Sequence, residues 1–146
     1  MKVKDIMRSS VVTLHASDSL GVADDVMSMG RIRHLPVVDS HRHVVGLVTQ
    51  RDLYKAAISS VLGFTKAKAH EWLGKIDVSD VMTVGVTTVD MEAGIVEAVD
   101  KMLSKKFGCL PVIDKDGCLV GLVTESDCLR CFRDLMKAGT FKEMLS

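Results

Sequence analysis

Val45-Gly46-Leu47-Val48-Thr49-Gln50-Arg51-Asp52 returns 75 residues later as Val120-Gly121-Leu122-Val123-Thr124-Glu125-Ser126-Asp127. Outward from this stretch the agreement continues. Leu35-Pro36-Val37-Val38-Asp39 returns as Leu110-Pro111-Val112-Ile113-Asp114, and Asp5-Ile6-Met7 as Asp80-Val81-Met82. At this one offset Val3 to Leu53 overlays Val78 to Cys128 without a gap. Roughly a third of the paired positions are identical, which marks an internal duplication. A copy of about fifty residues is too long for a solenoid unit and too short to bury a good core alone. The two copies are therefore expected to pack on each other, with any site at their junction arising as a pseudo-symmetric pair.

Composition bounds the class. The chain has 146 residues, 47% hydrophobic and 26% charged, with Lys plus Arg and Asp plus Glu equal at 19 each. That is globular balance, suited to one compact domain or two small ones. A neutral chain gives no electrostatic case for nucleic acid or an anionic membrane. No apolar run approaches a membrane span, and Met1-Lys2-Val3-Lys4-Asp5 opens no signal-peptide pattern, so a cytoplasmic location is expected.

Each copy carries the same order of elements. Lys4 to Met7 and Ser79 to Met82 read as a short lead-in turn of helix, and the β-branched runs Val11 to Leu14 and Val86 to Val89 as strands. Ser17-Asp18-Ser19 supplies an N-cap for a helix with Leu20, Ala23 and Met27 on one face, matched by Ile95, Ala98 and Met102. Two strands joined by a polar turn follow, Asp39 to Arg42 in one copy and Asp114 to Gly117 in the other, and then a final helix. The pattern is β-α-β-β-α twice, an α/β (α+β) fold. Residues 1–62 are expected to form the first motif, 63–77 a helical linker, and 78–146 the second motif with a C-terminal helix. In the linker region Val61 and Leu62 extend a helix that Gly63 ends. Trp72 lies on a short amphipathic helix serving as a crossover, with some interface role.

Thr49-x-x-Asp52 and Thr124-x-x-Asp127 each close a strand and open a helix. This is the spacing of a capping box, in which Thr and Asp pair each other's backbone amides. It also suits a ligand at the helix N-terminus, where free amides favour phosphate and an Asp accepts the hydroxyls of a ribose. Spacing alone leaves both open.

The run Arg33 to Asp39 with Val45 to Leu53 resembles the CBS (cystathionine beta-synthase) motif, and Leu110 to Asp114 with Val120 to Asp127 resembles a second one. With the Asp-apolar-Met lead-ins, the likeness covers most of the chain and resembles a tandem pair, a Bateman module. The resemblance implies two motifs packed through their sheets about a pseudo-twofold axis. It also implies clefts that bind adenosine-containing ligands: AMP, ADP, ATP or S-adenosylmethionine. One cleft would place Asp127 on a ribose and Thr124 on ribose or phosphate, with Thr13, Ile32 and Pro36 around adenine and Arg33 and His34 near the phosphates. Its mirror would use Asp52 and Thr49 with Thr88, Phe107, Gly108, Cys109 and Pro111, and Arg51 as a phosphate contact. Arg33-His34 in one copy answers Gly108-Cys109 in the other. A guanidinium and an imidazole suit polyphosphate. The cleft with Asp127 is therefore expected to prefer phosphate-rich nucleotides, and that with Asp52 to be weaker or to suit a less charged ligand such as S-adenosylmethionine.

The resemblance implies a regulatory module without catalysis or cofactor, signalling by conformational change to a protein partner or to a second copy in a homodimer. Leu20, Met27, Ile95 and Met102 are expected to leave some apolar surface for that dimer. No Ser-His-Asp grouping, P-loop or His-Glu-x-x-His occurs. The five His are scattered, and no metal site is expected. The competing reading is a thiol- or metal-responsive protein acting through Cys128 and Cys131, whose i, i+3 spacing also describes two buried thiols on one helix face.

Overall fold

The computed structural model describes residues 1–58 and 65–139. The expected helix extension through Val61 and Leu62 and its stop at Gly63 lie outside the described residues. Two compact units divide the chain, Val12–Val86 and Met1–Val11 with Thr87–Ser146.

In the Val12–Val86 unit, α1 (Leu20–Gly30), β1 (His34–Val38), β2 (Val44–Thr49), α2 (Gln50–Ile58), α3 (Lys66–Leu73) and α4 (Val78–Val81) follow in order. Ser19 caps α1 as its spacing foretold, its Oγ accepting from the Val22 amide at 3.2 Å. The apolar face of α1 then points inward: Leu20, Ala23 and Met27 are buried against Leu35, Val37 and Val48 of the sheet. Leu73 of α3 joins the same core, while Trp72 stays 38% exposed.

The other unit opens with a 3-10 turn (Val3–Asp5) and continues with β3 (Val89–Asp90), α5 (Ile95–Lys105), β4 (Cys109–Ile113), β5 (Leu119–Thr124) and α6 (Glu125–Lys137). Its core repeats the first at the same offset, with Ala98, Met102, Leu110, Val112 and Val123 buried. The homologous details extend to backbone strain. Arg31 and Lys106, 75 residues apart, both end their helices in the left-handed region, with φ of 50° and 56°. Both antiparallel hairpins carry a register shift at the equivalent place, between Val37 and Val38 and between Val112 and Ile113. Both turns are folded by an Asp: Asp39 Oδ1 accepts from the His41 and His43 amides, and Asp114 Oδ1 from those of Asp116 and Cys118. In the turn, Arg42 adopts a φ of 62° where its counterpart is Gly117 at 80°.

The first strand of each copy is much shorter than its composition suggests. Only Leu14 of Val11–Leu14 bridges β1, through Leu14 N–H to Pro36 O and Val38 N–H to Leu14 O, both at 2.9 Å. Of Val86–Val89 only Val89 is paired, together with Asp90. β-Branched residues favour extended backbone, but a ladder forms only where a neighbour presents its own groups. Leu14 and Val89 are also the residues of these runs that reach the cores, at 2% and 1% exposure.

The lead-ins are exchanged. Val3 from the first copy is buried among the core residues of the second copy's sheet and helices, and Val78 from the second copy lies in the core of the first. Each such valine contributes about 1.5–3 kcal/mol when fully buried. The chain then runs along a sheet edge. Arg8 N–H donates to Leu122 O at 2.8 Å and Leu122 N–H to Arg8 O at 3.0 Å, and Thr83 and Leu47 exchange the same two bonds at 2.9 and 3.0 Å. These bonds satisfy an edge that would otherwise offer itself to another chain. Gly46 and Gly121 are needed at the crossing. A Cβ on Gly121 would lie 2.7 Å from Met7 Sδ and 2.8 Å from Arg8 O, and one on Gly46 would overlap the Met82 side chain. This contact explains why Asp-apolar-Met and Val-Gly-Leu recur together.

Leu20, Met27 and Met102 do not supply exposed apolar surface, contrary to expectation, because all three are at most 4% exposed. Each faces its own sheet, and the outward positions on α1 and α5 are instead Val22, Met29, Val96 and Leu103. Among the described residues no helix is long and apolar enough to cross a membrane.

Candidate functional site

The two Thr–Asp pairs stand at the strand-to-helix junctions where their spacing put them. Asp127 Oδ2 accepts from the Thr124 amide and hydroxyl, both at 2.9 Å, and Asp52 Oδ2 accepts from those of Thr49 at 2.8 and 3.0 Å. In return each Thr Oγ1 accepts from the Asp amide, at 3.4 Å and 3.3 Å. The capping box therefore forms in both copies. It uses one carboxylate oxygen of each Asp and turns the acid back toward its own strand rather than out into water.

The second oxygen distinguishes the copies. Asp127, 5% exposed, has Oδ1 facing two guanidiniums: Arg8 Nε at 3.4 Å and Arg130 Nη2 one helical turn along α6. Burial pushes the Asp127 carboxyl up, but the Thr124 bonds, Arg130 and Arg8 together outweigh it and hold the group below the usual carboxylate range. Asp52 is half-buried, and among the described residues no ion pair to it is formed. The positions equivalent to Arg8 and Arg130 are Thr83 and Lys55.

Of the remaining expected site residues, Arg33, His34, Gly108 and Cys109 adjoin these junctions, each within its own unit. His34 pairs with Thr49 across the β1–β2 ladder, and the α2 entrance is tied to the preceding loop by Gln50 N–H donating to Arg33 O at 2.9 Å. Arg33 and Arg51 are exposed, Ile32 is half-buried against the core, Thr13 is half-buried ahead of Leu14, and Pro36 is fully buried in β1. In the other unit Cys109 pairs with Thr124, and Glu125 N–H donates to Gly108 O at 3.1 Å. Phe107 is 39% exposed, Thr88 is half-buried ahead of β3, and Pro111 is buried opposite Leu122. The Cys109 thiol is pushed up to about 12, by burial first and the Asp127 charge second, so it stays protonated at neutral pH and offers no charge to a ligand.

A groove of about 420 Å³ opens beside Asp127, with Met1, Asp5 and Ile6 on one side and Arg130 and Cys131 of α6 on the other. Cys131 Sγ lies 3.9 Å from Met1 Sδ. Burial, the Asp127 charge and the neighbouring Cys131 raise the Cys128 thiol above its ordinary value, which makes it a poor thiolate nucleophile. Among the described residues no group of three or more His, Cys, Asp or Glu is arranged to hold a metal ion.

Arg8 and Arg130 were not among the residues that sequence reading selected. The signal was present in the offset comparison, where arginine replaces threonine at one position and lysine at the other. It carries meaning only once Arg8 is known to cross Leu122 of the opposite copy.

Comparison with known proteins accounts for the duplicated arrangement. The family model for the CBS domain matches twice, at residues 3–59 and 78–134. A CBS domain-containing protein of Dictyostelium discoideum is 36% identical over 87% of this chain and 88% of its own length. Homoserine O-acetyltransferase of Methanohalobium evestigatum is 34% identical, but the chain spans only 24% of that enzyme. Among solved structures, the CBS domain pair of protein MJ0100, in complex with 5′-methylthioadenosine and S-adenosyl-L-methionine, superposes with a TM-score of 0.76 at 28% identity, covering 92% of this chain and 97% of that one. CBSX2, known from Arabidopsis thaliana and solved in complex with AMP, gives a TM-score of 0.78 at 26% identity with the same coverage. With the motif matched over both copies and the fold shared along nearly the whole chain, this protein belongs to the CBS domain family, as a tandem pair.

Proposed function

We propose that the chain is a regulatory module that binds adenosine-containing ligands (AMP, ADP, ATP or S-adenosylmethionine) at the two Thr–Asp junctions and carries out no chemistry of its own. The observation that carries this reading is the duplicated inward-held carboxylate. Asp52 and Asp127 each keep one oxygen on the capping box; in this reading the other oxygen accepts from a ribose diol, at Asp127 in place of the Arg8 contact. Thr49 and Thr124 stand beside them at helix N-termini, whose amides and dipole favour phosphate. Two chains of the same fold, each matched over nearly its full length, have been solved with AMP and with S-adenosylmethionine. In this reading Ile32, Arg33, His34, Phe107, Gly108 and the half-buried Thr13 and Thr88 shape the surroundings, with Arg51 near phosphate.

Ligand binding then changes the conformation of the chain, and the change passes to a protein partner or to a second copy of the chain. The exposed Val96 and Leu103 of α5 and Leu129 and Phe132 of α6 provide the apolar surface for a homodimer. Light scattering after size exclusion tests the dimer: a strict monomer at high concentration removes it. A thermal-shift panel of AMP, ADP, ATP, S-adenosylmethionine and 5′-methylthioadenosine tests the ligand class. A ligand at a hundredfold over its dissociation constant adds about 2.7 kcal/mol to stability. A panel in which no adenosyl compound raises the melting temperature defeats the reading.

A further inference from the structure

We propose that Arg8 determines the ligand preference of the Asp127 junction, making it demand an anionic group beside the ribose that the Asp52 junction does not require. The inference rests on the nucleotide-binding reading above and adds a residue and a selection rule to it. Arg8 and a ribose hydroxyl compete for the same atom, Oδ1 of Asp127, because Oδ2 is already held by Thr124. A ligand that takes Oδ1 from Arg8 leaves a guanidinium without its anion. A phosphate compensates that loss, and a neutral 5′ substituent does not.

Three observations give Arg8 this part rather than a fixed structural one. Its backbone is anchored to Leu122 by two hydrogen bonds, so the side chain projects from a fixed point. Its side chain is 61% exposed while its partner carboxylate is 4% exposed, so the arginine can leave and the acid cannot. Its bond to Asp127 is long, at 3.4 Å, whereas Arg130 on the next turn of α6 makes the closer contact to the same oxygen and stays as the acid's partner when Arg8 leaves. The other copy supplies the contrast. Thr83 is anchored to Leu47 by the same pair of backbone bonds, yet its side chain is short and uncharged. The duplicated scaffold thus holds the position constant and lets its side chain set selectivity.

The test is titration calorimetry with AMP and 5′-methylthioadenosine on protein carrying Asp52→Ala, so that only the Asp127 junction is read. Arg8→Thr is expected to lower the ratio of AMP to 5′-methylthioadenosine affinity at least tenfold, and Arg8→Lys to hold most of it. The reciprocal change, Thr83→Arg on an Asp127→Ala background, is expected to raise the same ratio at the Asp52 junction at least tenfold, and it serves if the first variant fails to fold. Ratios that move by less than tenfold while both compounds still bind overturn the role of Arg8 and leave the nucleotide reading intact. Failure of the unsubstituted protein to bind either compound overturns that reading, and this one with it.

Discussion

Set side by side, the Asp52 and Asp127 junctions differ in their charge partners far more than in their frames. Both have the Thr–Asp box, the edge-covering lead-in, the Met over a Gly and the buried lead-in valine. Among the described residues, Asp127 faces two arginines and Asp52 none. Packing couples every element of a copy to its neighbours, so a changed core residue is penalised at once. A changed side chain at an exposed anchor such as position 8 or 83 costs the fold little and alters what the acid can receive. In the proposed reading, duplication followed by divergence at such anchors gives one chain two junctions of different selectivity.

If the frames are equivalent, Val3→Ala and Val78→Ala should each destabilise by about 2.5 kcal/mol, the largest effect expected here. Chemical denaturation followed by circular dichroism reads both. A loss confined to one of them breaks the equivalence. The acids should respond unequally. Asp127→Asn removes a charge held by two guanidiniums and should cost about 2 kcal/mol, against about 1 kcal/mol or less for Asp52→Asn. The Asp127 contribution also has a defined pH window. Its carboxyl is depressed in the folded chain, so the stabilisation is complete above the ordinary value of about 3.9 and is lost as pH falls through the lower folded value. A urea midpoint series from pH 6 down to pH 2 should therefore show the acid-side loss shrinking in Asp127→Asn.

The glycines sharpen the comparison further. Gly121→Ala meets the Arg8 backbone oxygen as well as Met7 and should cost about 1.5 kcal/mol. Gly46→Ala meets the Met82 side chain first, with no backbone atom as near, and should cost less. Equal losses in thermal melts would mean that the two crossings are closer in geometry than the structure has them. The smallest effect is at the hairpin turn. Arg42→Gly matches Gly117 in a left-handed conformation and should stabilise by about 0.5 kcal/mol, since relief of backbone strain exceeds the added freedom of the unfolded chain.

Much of this was legible in the chain itself, because repetition at a fixed offset reads out element order without any knowledge of packing. The cap at Ser19, the inward faces of α1 and α5, the Asp-folded turns and both Thr–Asp boxes all follow from local spacing. What escaped was nonlocal. Nothing in the run Val3 to Met7 states that it packs with the opposite copy's sheet. The Arg8–Asp127 pair joins residues 119 apart and is invisible until that packing is known. The brevity of the first strands escaped for a related reason: β-branched composition reports extended backbone, whereas pairing depends on the neighbour. The outward apolar residues of α1 and α5 escaped because a hydrophobic stripe marks a buried face and leaves unmarked the scattered Val22, Met29, Val96 and Leu103 outside it.

Titration calorimetry with AMP and S-adenosylmethionine, comparing the unsubstituted chain with the double variant Asp52→Ala and Asp127→Ala, is the most direct trial of the central claim. The account predicts saturable binding of at least one of the two compounds to the unsubstituted chain and its loss in a double variant that retains native circular dichroism. Undiminished binding by that folded double variant would contradict it.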